Sequence, residues 1–177
     1  MAQDLAPSER PAEQVSFTAK TFGKGEISVL TLLAVMIAVV GTWAGIVPYV
    51  GGFFGFGLGD APAWHWTLDR ALLDLIPGGA ALFAALLLLV TRPALAMGTG
   101  RLVAGLALLL IMLAGVWLVL GSGAYHVIVP GSRLPTFTQL LGYHYGPGLL
   151  LVGFGAGALG LLPRGGVRRR RVVAWSE

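Results

Sequence analysis

Three histidines and three of the four aspartates of this chain lie close together in the expected topology, and these residue types could bind a metal or support redox chemistry. All six fall near the same ends of the apolar runs of the sequence: His65, His126, His144, Asp60, Asp69 and Asp74. Imidazoles and carboxylates bind zinc, copper or iron, and two histidines on facing helices can hold a haem. No metal-binding spacing such as His-x3-His occurs, and the chain has no cysteine. We therefore expect no metal and no cofactor, with the three histidines as the alternative site, and we interpret them as interfacial residues.

Asp74 is the most unusual charge because it lies inside an apolar run. A carboxylate in hydrocarbon costs a few kcal/mol and normally faces water or a partner. Arg70 precedes it by one helical turn and is its obvious local partner. We interpret Asp74 as part of a wet first turn, where the positive end of a helix favours carboxylates. A proton or ion pathway is the alternative, but it requires further ionisable groups inside the helices, and we expect none in the first, third or fourth.

No catalytic motif accompanies these residues. The many glycines lack the strand-to-helix context of a phosphate-binding loop, and there is no nucleophile elbow and no His-Glu-x-x-His motif. We therefore expect that the protein is not an enzyme.

The elements that must position these side chains are four apolar runs, at roughly residues 27–47, 71–90, 102–120 and 147–162. Each approaches the roughly 20 residues that a helix needs to cross a bilayer. Charged residues make up 11% of the chain and the mean hydropathy is +0.81, whereas soluble domains carry about 25% charge. The sequence predicts an all-α, polytopic membrane protein with four transmembrane helices in residues 26–163. Residues 1–25 and 164–177 are predicted to be a flexible N-terminal tail and a basic C-terminal tail.

Basic residues are distributed unevenly about the four runs. Ten of the 12 Lys and Arg residues lie in the two tails and in the loop between the second and third runs. The positive-inside rule then places both termini in the cytoplasm. Arg168, Arg169, Arg170 and Arg171 are expected to contact anionic lipid headgroups. We attribute the net charge of +4 to topology and expect no nucleic-acid partner. The excess of Arg over Lys is typical of GC-rich bacterial genomes, so the predicted location is the bacterial inner membrane.

The two halves of the chain can be laid on each other. Pro77-Gly78 and Pro93 match Pro147-Gly148 and Pro163 at an offset of 70 residues, and Gly41-Thr42-Trp43 matches Gly115-Val116-Trp117 at an offset of 74. Proline is tolerated at the start of a helix, where its missing N–H has no partner in any case. The pattern predicts two tandem helical hairpins of the same orientation. Chance is the alternative, since Pro, Gly and Trp all favour the ends of membrane helices.

Small residues form stripes on the first and fourth runs, and such stripes let helices approach closely in membranes. The stripe residues are Ala34, Ala38, Gly41 and Gly45, and Gly146, Gly153, Gly157 and Gly160. One interpretation is that helix one packs on helix four within the chain. The alternative is that the stripes contact another subunit.

Residues 43–53, Trp-Ala-Gly-Ile-Val-Pro-Tyr-Val-Gly-Gly-Phe, resemble the signature of the SPW-repeat membrane proteins. In that signature, a Trp precedes a Ser-Pro-Trp core by a few residues. Val47 and Tyr49 stand here in place of the Ser and the final Trp, and Trp117 is followed five residues later by Ser122 without a Pro. The resemblance covers about ten residues per half. It implies a paired-helix membrane unit and carries no established activity.

Together these features predict a non-catalytic accessory or scaffold subunit of a larger bacterial membrane assembly. Its expected partners are membrane lipids and other membrane subunits or further copies of itself. A redox protein with a metal or haem on its histidines and a transporter of small solutes or lipids are the alternatives.

The predicted topology can be tested by labelling, because the chain has no native cysteine. In intact cells, Ser132→Cys should react with an impermeant thiol reagent added from outside, and Thr99→Cys should react only after the cells are lysed. The reverse pattern would show that both termini face outward.

Overall fold

Four long helices make up the described part of the chain, which comprises residues 24–55, 62–96, 98–128 and 136–162 of a computed structural model. Helix α1 is Lys24–Val50, and the 3₁₀ turn Gly51–Phe54 follows it. Helix α2 (68–91) consists of Leu68–Arg70, the π-helical turn Ala71–Leu75 and Ile76–Thr91, and the 3₁₀ turn Arg92–Ala96 follows it. Helix α3 is Gly98–Ile128. Helix α4 (137–161) consists of Phe137–Leu140, the π-helical turn Leu141–Tyr145 and Gly146–Leu161.

The predicted all-α class is confirmed for these residues, which contain no strand. Three helical segments are long and apolar enough to cross a membrane: Ser28–Phe54, Leu68–Leu95 and Gly98–Tyr125. Helix α4 falls short of this, because its first turns hold Tyr143, His144 and Tyr145 and its remainder is rich in glycine. The predicted tails lie outside the described residues, Arg168–Arg171 included, except for Lys24 and Gly25 at the start of α1.

The four helices pack in a closed ring in which α1 contacts α2, α2 contacts α3, α3 contacts α4, and α4 contacts α1. Small and branched apolar side chains fill the centre, among them Ile37, Ala84, Leu108, Ile111 and Leu151, which are all buried. Large apolar side chains such as Leu32, Phe83, Leu113 and Leu149 point outward and are exposed. A helix that is hydrophobic on every face is typical of a membrane span, so the outward surface suits lipid.

Helices α1 and α2 form one antiparallel hairpin, helices α3 and α4 form a second, and each hairpin has backbone contact at glycine. A Cβ atom at Gly78 would lie 2.5 Å from the backbone N of Gly45 and 2.7 Å from the carbonyl O of Gly41. In the second hairpin, a Cβ atom at Gly148 would lie 2.7 Å from the carbonyl O of Gly115. Gly41 and Gly115, like Gly78 and Gly148, are the pairs that the sequence alignment matches. The two hairpins therefore use the same contact at equivalent positions.

The two predicted stripes differ in burial: the stripe on α1 packs inside the bundle and the stripe on α4 points outward. On α1, Ala34, Gly41 and Gly45 are buried and Ala38 is partly buried. The expectation that helix four would be the partner is wrong for the two glycines, because they contact Gly78 on α2. On α4, a Cβ atom at Gly153, Gly157 or Gly160 would meet nothing within 4 Å. The glycine of α4 that packs inside the chain at this depth is Gly155, against Met112. Contact of the outward stripe with another subunit stays a prediction.

Adjacent glycines on α2 provide a matched test of the hairpin contact. Gly78→Ala should lower the stability by about 1 to 3 kcal/mol, the usual cost of overpacking. Gly79→Ala should leave it unchanged or raise it by up to about 1 kcal/mol, because Ala favours helix and nothing lies within 4 Å of that position. Thermal unfolding in detergent, followed by circular dichroism, gives both values. Equal midpoints for the two variants would contradict the close approach.

Candidate functional site: a buried Asp–His pair between the hairpins

Proline shapes the first turns of α2 and α4 in the same way. The N–H of Ile76 bonds to the carbonyl of Ala71, five residues back, and the N–H of Gly146 bonds likewise to Leu141. The next residues, Pro77 and Pro147, have no N–H to donate. Both helices therefore open with a π turn, a feature that is rare in proteins and frequent at functional sites.

Each π turn leaves one backbone carbonyl without its usual helical donor, and a tryptophan from the other hairpin supplies one. Trp117 Nε1 on α3 donates to the carbonyl O of Leu72 at 3.0 Å. Trp43 Nε1 on α1 donates to the carbonyl O of Gly142 at 3.1 Å. Both bonds lie at the exposed surface of the bundle, and lipid offers no donor to an unpaired carbonyl. This reciprocal pair of bonds therefore stabilises both π turns and links the two hairpins. Both indole rings are about half exposed.

The π turns bring Asp74 and His144 together in the interior. Asp74 Oδ1 on α2 lies 3.4 Å from His144 Nδ1 on α4, and the two side chains are 2% and 3% exposed. The contact is longer than the roughly 2.7 to 2.9 Å of a charge-assisted hydrogen bond, and neither atom has a hydrogen-bond partner among the described residues. The pair is therefore in contact without a well-formed hydrogen bond.

Asp74 and His144 occupy matching positions in the two hairpins. Asp74 and His144 are 70 residues apart, as are Pro77 and Pro147 and the carbonyls of Leu72 and Gly142. Two equivalent positions that touch across a twofold relation must lie close to its axis. The axis of the two hairpins therefore passes near this carboxylate–imidazole contact.

Further buried polar groups lie at the same end of the bundle as the pair. Arg70, one turn before Asp74, is buried, and its Nη1 donates to the carbonyl O of His65 at 3.3 Å. Tyr143 is fully buried beside His144, Tyr49 is buried at the end of α1, and Ser122 is buried near the end of α3. The hydroxyls of Tyr49 and Ser122 have no hydrogen-bond partner within the described ranges. We call Tyr49, Arg70, Asp74, Ser122, Tyr143 and His144 the polar cluster. It draws on all four helices.

Two interpretations drawn from the sequence are corrected here. Asp74 is not in a wet turn, because the packed bundle buries it and His144 faces it. His144 is not an interfacial residue, and helix four therefore does hold an ionisable group in its interior. The sequence contained a signal for this pair, since the offset of 70 residues that matches the prolines also matches Asp74 to His144.

The other two histidines lie outside the polar cluster as the structure describes it. His65 is exposed in the segment before α2. His126 is on α3, and its side chain is outside the described residues. Among the side chains that are described, no group of three or more His, Cys, Asp or Glu is arranged to hold a metal ion. Of the two histidines whose side chains the structure describes, His144 is buried and His65 is exposed.

These features define an all-helical protein with three helices suited to span a membrane and a buried polar cluster between two equivalent hairpins. No protein-family model matches the chain. No curated protein and no solved structure matches it either. The resemblance to the SPW-repeat proteins stays a prediction.

Removing either indole donor tests how the site is held. Trp43→Phe and Trp117→Phe each keep an aromatic ring but leave a carbonyl without its donor, which should cost about 1 to 3 kcal/mol. Trp64→Phe, at an exposed tryptophan of the same end, should leave the stability nearly unchanged. Thermal unfolding in detergent measures all three. A loss in Trp64→Phe as large as in the other two would contradict a specific role for the indole bonds.

Proposed function

We propose that this protein is a small transporter of the bacterial inner membrane that binds a small polar solute between its two hairpins. The observation that carries the proposal is the buried Asp74–His144 contact at the hairpin interface. Ionisable residues inside membrane segments are costly and commonly mark a pathway for a substrate or ion. Transporters built from repeats often place their sites at the repeat interface, where the helices are interrupted, and both helices here carry a π turn at the site.

The chemistry of the polar cluster suits a solute that both donates and accepts hydrogen bonds. The Asp74 carboxylate accepts, the Arg70 guanidinium donates, and the hydroxyls of Tyr49 and Ser122 do either. Polar atoms that are buried without a partner favour a ligand that satisfies them. A small uncharged or zwitterionic molecule meets this demand without adding net charge to a desolvated site.

The proposed topology has four transmembrane helices with both termini in the cytoplasm. The uneven distribution of the basic residues supports this orientation. Helix α4 is the counterpart of α2, which is itself apolar enough to span, and it contacts both α1 and α3 along the bundle. In this topology the polar cluster lies near the outer end of the bundle, and the basic residues Arg92 and Arg101 lie at the cytoplasmic end.

An accessory or scaffold role in a larger membrane assembly is the second candidate. The outward stripe of Gly153, Gly157 and Gly160 favours it, because each position has open space that another helix would fill. The partner would be another membrane subunit or a second copy of this chain. Neither candidate includes catalysis.

Transport is tested with purified full-length protein in liposomes of bacterial lipid. After a hyperosmotic step with urea, glycerol or glycine, light scattering reports re-swelling as the solute enters. We expect wild-type protein to raise the rate for at least one solute above that of empty liposomes. Asp74→Asn should remove most of this increase, because the site loses its charged acceptor, and His65→Gln, at an exposed position, should keep it.

Two results would count against transport. One is a rate equal to that of empty liposomes for every solute. The other is an Asp74→Asn variant as active as the wild type. In mild detergent, co-elution of a second membrane protein that is lost in Gly157→Leu would then favour the accessory role. The Gly157→Leu variant should keep its own unfolding midpoint, since nothing inside the chain contacts that position.

A further inference from the structure

We propose that Asp74 and His144 together form a binding site for a single proton, shared between the two hairpins. This inference rests on the transport function proposed above and names a second ligand of the same site. The geometry is a carboxylate oxygen and an imidazole nitrogen 3.4 Å apart, one from each hairpin, both buried. A proton is small enough to bind between these two atoms without separating them.

The contact has room to tighten when a proton is present. A charge-assisted N–H···O bond is about 2.7 to 2.9 Å long, shorter than the 3.4 Å between Oδ1 and Nδ1. Protonation of the imidazole makes both ring nitrogens donors, and the nearer one faces the carboxylate. The bound proton therefore draws α2 and α4 together at the axis. No covalent bond other than the one to the proton changes, and no electron is transferred.

The charges around the pair also fit a single proton. With a neutral imidazole, the two carboxylates of Asp69 and Asp74 and the guanidinium of Arg70 leave a net charge of minus one. One proton on the pair makes this group neutral. Arg70 and Asp74 are buried and Asp69 is partly buried. Because uncompensated charge away from water is costly, one proton on the pair offsets the excess carboxylate in the first turns of α2.

Other polar groups at this end of the bundle come from every helix and from the segment before α2. They are Tyr49 on α1, His65 before α2, Ser122 and Tyr125 on α3, and Tyr143 and Tyr145 on α4. The tyrosines and Ser122 contribute hydroxyl groups, which can donate or accept a hydrogen bond. They can bond to either form of the pair, and none of them adds a formal charge that would change the count of one proton.

The proton is supplied by water at the end of the bundle where α2 and α4 begin. Asp74 lies in the second turn of α2, and Arg70 lies between it and the exposed segment around His65. Because the pair joins the two hairpins, binding or release of the proton changes the strength of their contact. In a transporter this links proton occupancy to the packing of the hairpins around the solute.

Histidine titration in the full-length protein tests the shared site. The chain holds three histidines, so ¹⁵N-histidine NMR in lipid nanodiscs, between about pH 4 and about pH 9, resolves His144 by comparison with His144→Gln. Asp74→Asn should move the midpoint of His144 by at least about one pH unit, a tenfold change in proton affinity. His65→Gln is the matched control and should leave the His144 midpoint in place.

Infrared difference spectra of the wild type provide a second reading that does not depend on the Asp74→Asn variant folding. The imidazole bands of His144 and the carboxyl bands assigned through Asp74→Glu should change with one common midpoint. A His144 midpoint that is unaffected by Asp74→Asn, separate midpoints for the two groups, or no titration over the range would each overturn the proposal.

The titration and the transport assay fail independently. A protein that shows the coupled titration but moves no solute keeps the proton site and loses the transport function. A protein that moves solute while His144 titrates independently of Asp74 keeps the transport function and loses the shared proton.

Discussion

Two backbone carbonyls determine how the polar end of this bundle is built. Pro77 and Pro147 withhold the N–H groups that would bond to the preceding turns, and an unsatisfied carbonyl is costly away from water. In the π-helical register, residues 77 and 147 would donate to the carbonyls of Leu72 and Gly142. Because both residues are proline, an indole N–H from the opposite hairpin donates to each carbonyl instead. These bonds stabilise the π turns at the start of α2 and α4. Asp74 and His144 lie in those π turns and are buried there.

The close approach of the helices within each hairpin also contributes to this arrangement. Trp43 and Trp117 reach the opposite hairpin because the glycines inside each hairpin allow backbone contact. Gly41 with Gly78, and Gly115 with Gly148, bring α1 onto α2 and α3 onto α4 with almost no side chain between them. Packing of this kind depends on small residues, because helices in lipid gain little from burying apolar surface. The polar groups lie at the interface between the two hairpins.

Equivalent positions in the two hairpins carry different chemistry. The Asp74 carboxylate accepts hydrogen bonds, whereas the His144 imidazole can take up a proton. The two hairpins therefore have similar backbones but different side chains at the point where they meet. Two carboxylates 3.4 Å apart would repel each other. The mixed pair instead places a hydrogen-bond acceptor against a ring that can take up a proton.

Sequence patterns alone were sufficient for several conclusions. The apolar runs predicted four helices, because hydrophobicity is a property of residue types, and the matched prolines, glycines and tryptophans predicted two similar hairpins. The orientation in the membrane also follows from residue types and stays a prediction. Local signals of this kind need no knowledge of which helix lies beside which.

The location of the functional residues depended on the tertiary structure. From sequence, Asp74 reads as the wet start of a helix and His144 as an interfacial ring, because both lie near the ends of apolar runs. Burial at 2% and a partner on another helix arise only when the two hairpins are packed. The same holds for the glycines: spacing places Gly41 and Gly157 on stripes of the same kind, yet one contacts backbone and the other faces outward. Spacing defines the face of a helix on which a residue lies, whereas the neighbour of that face is decided by how all four helices pack.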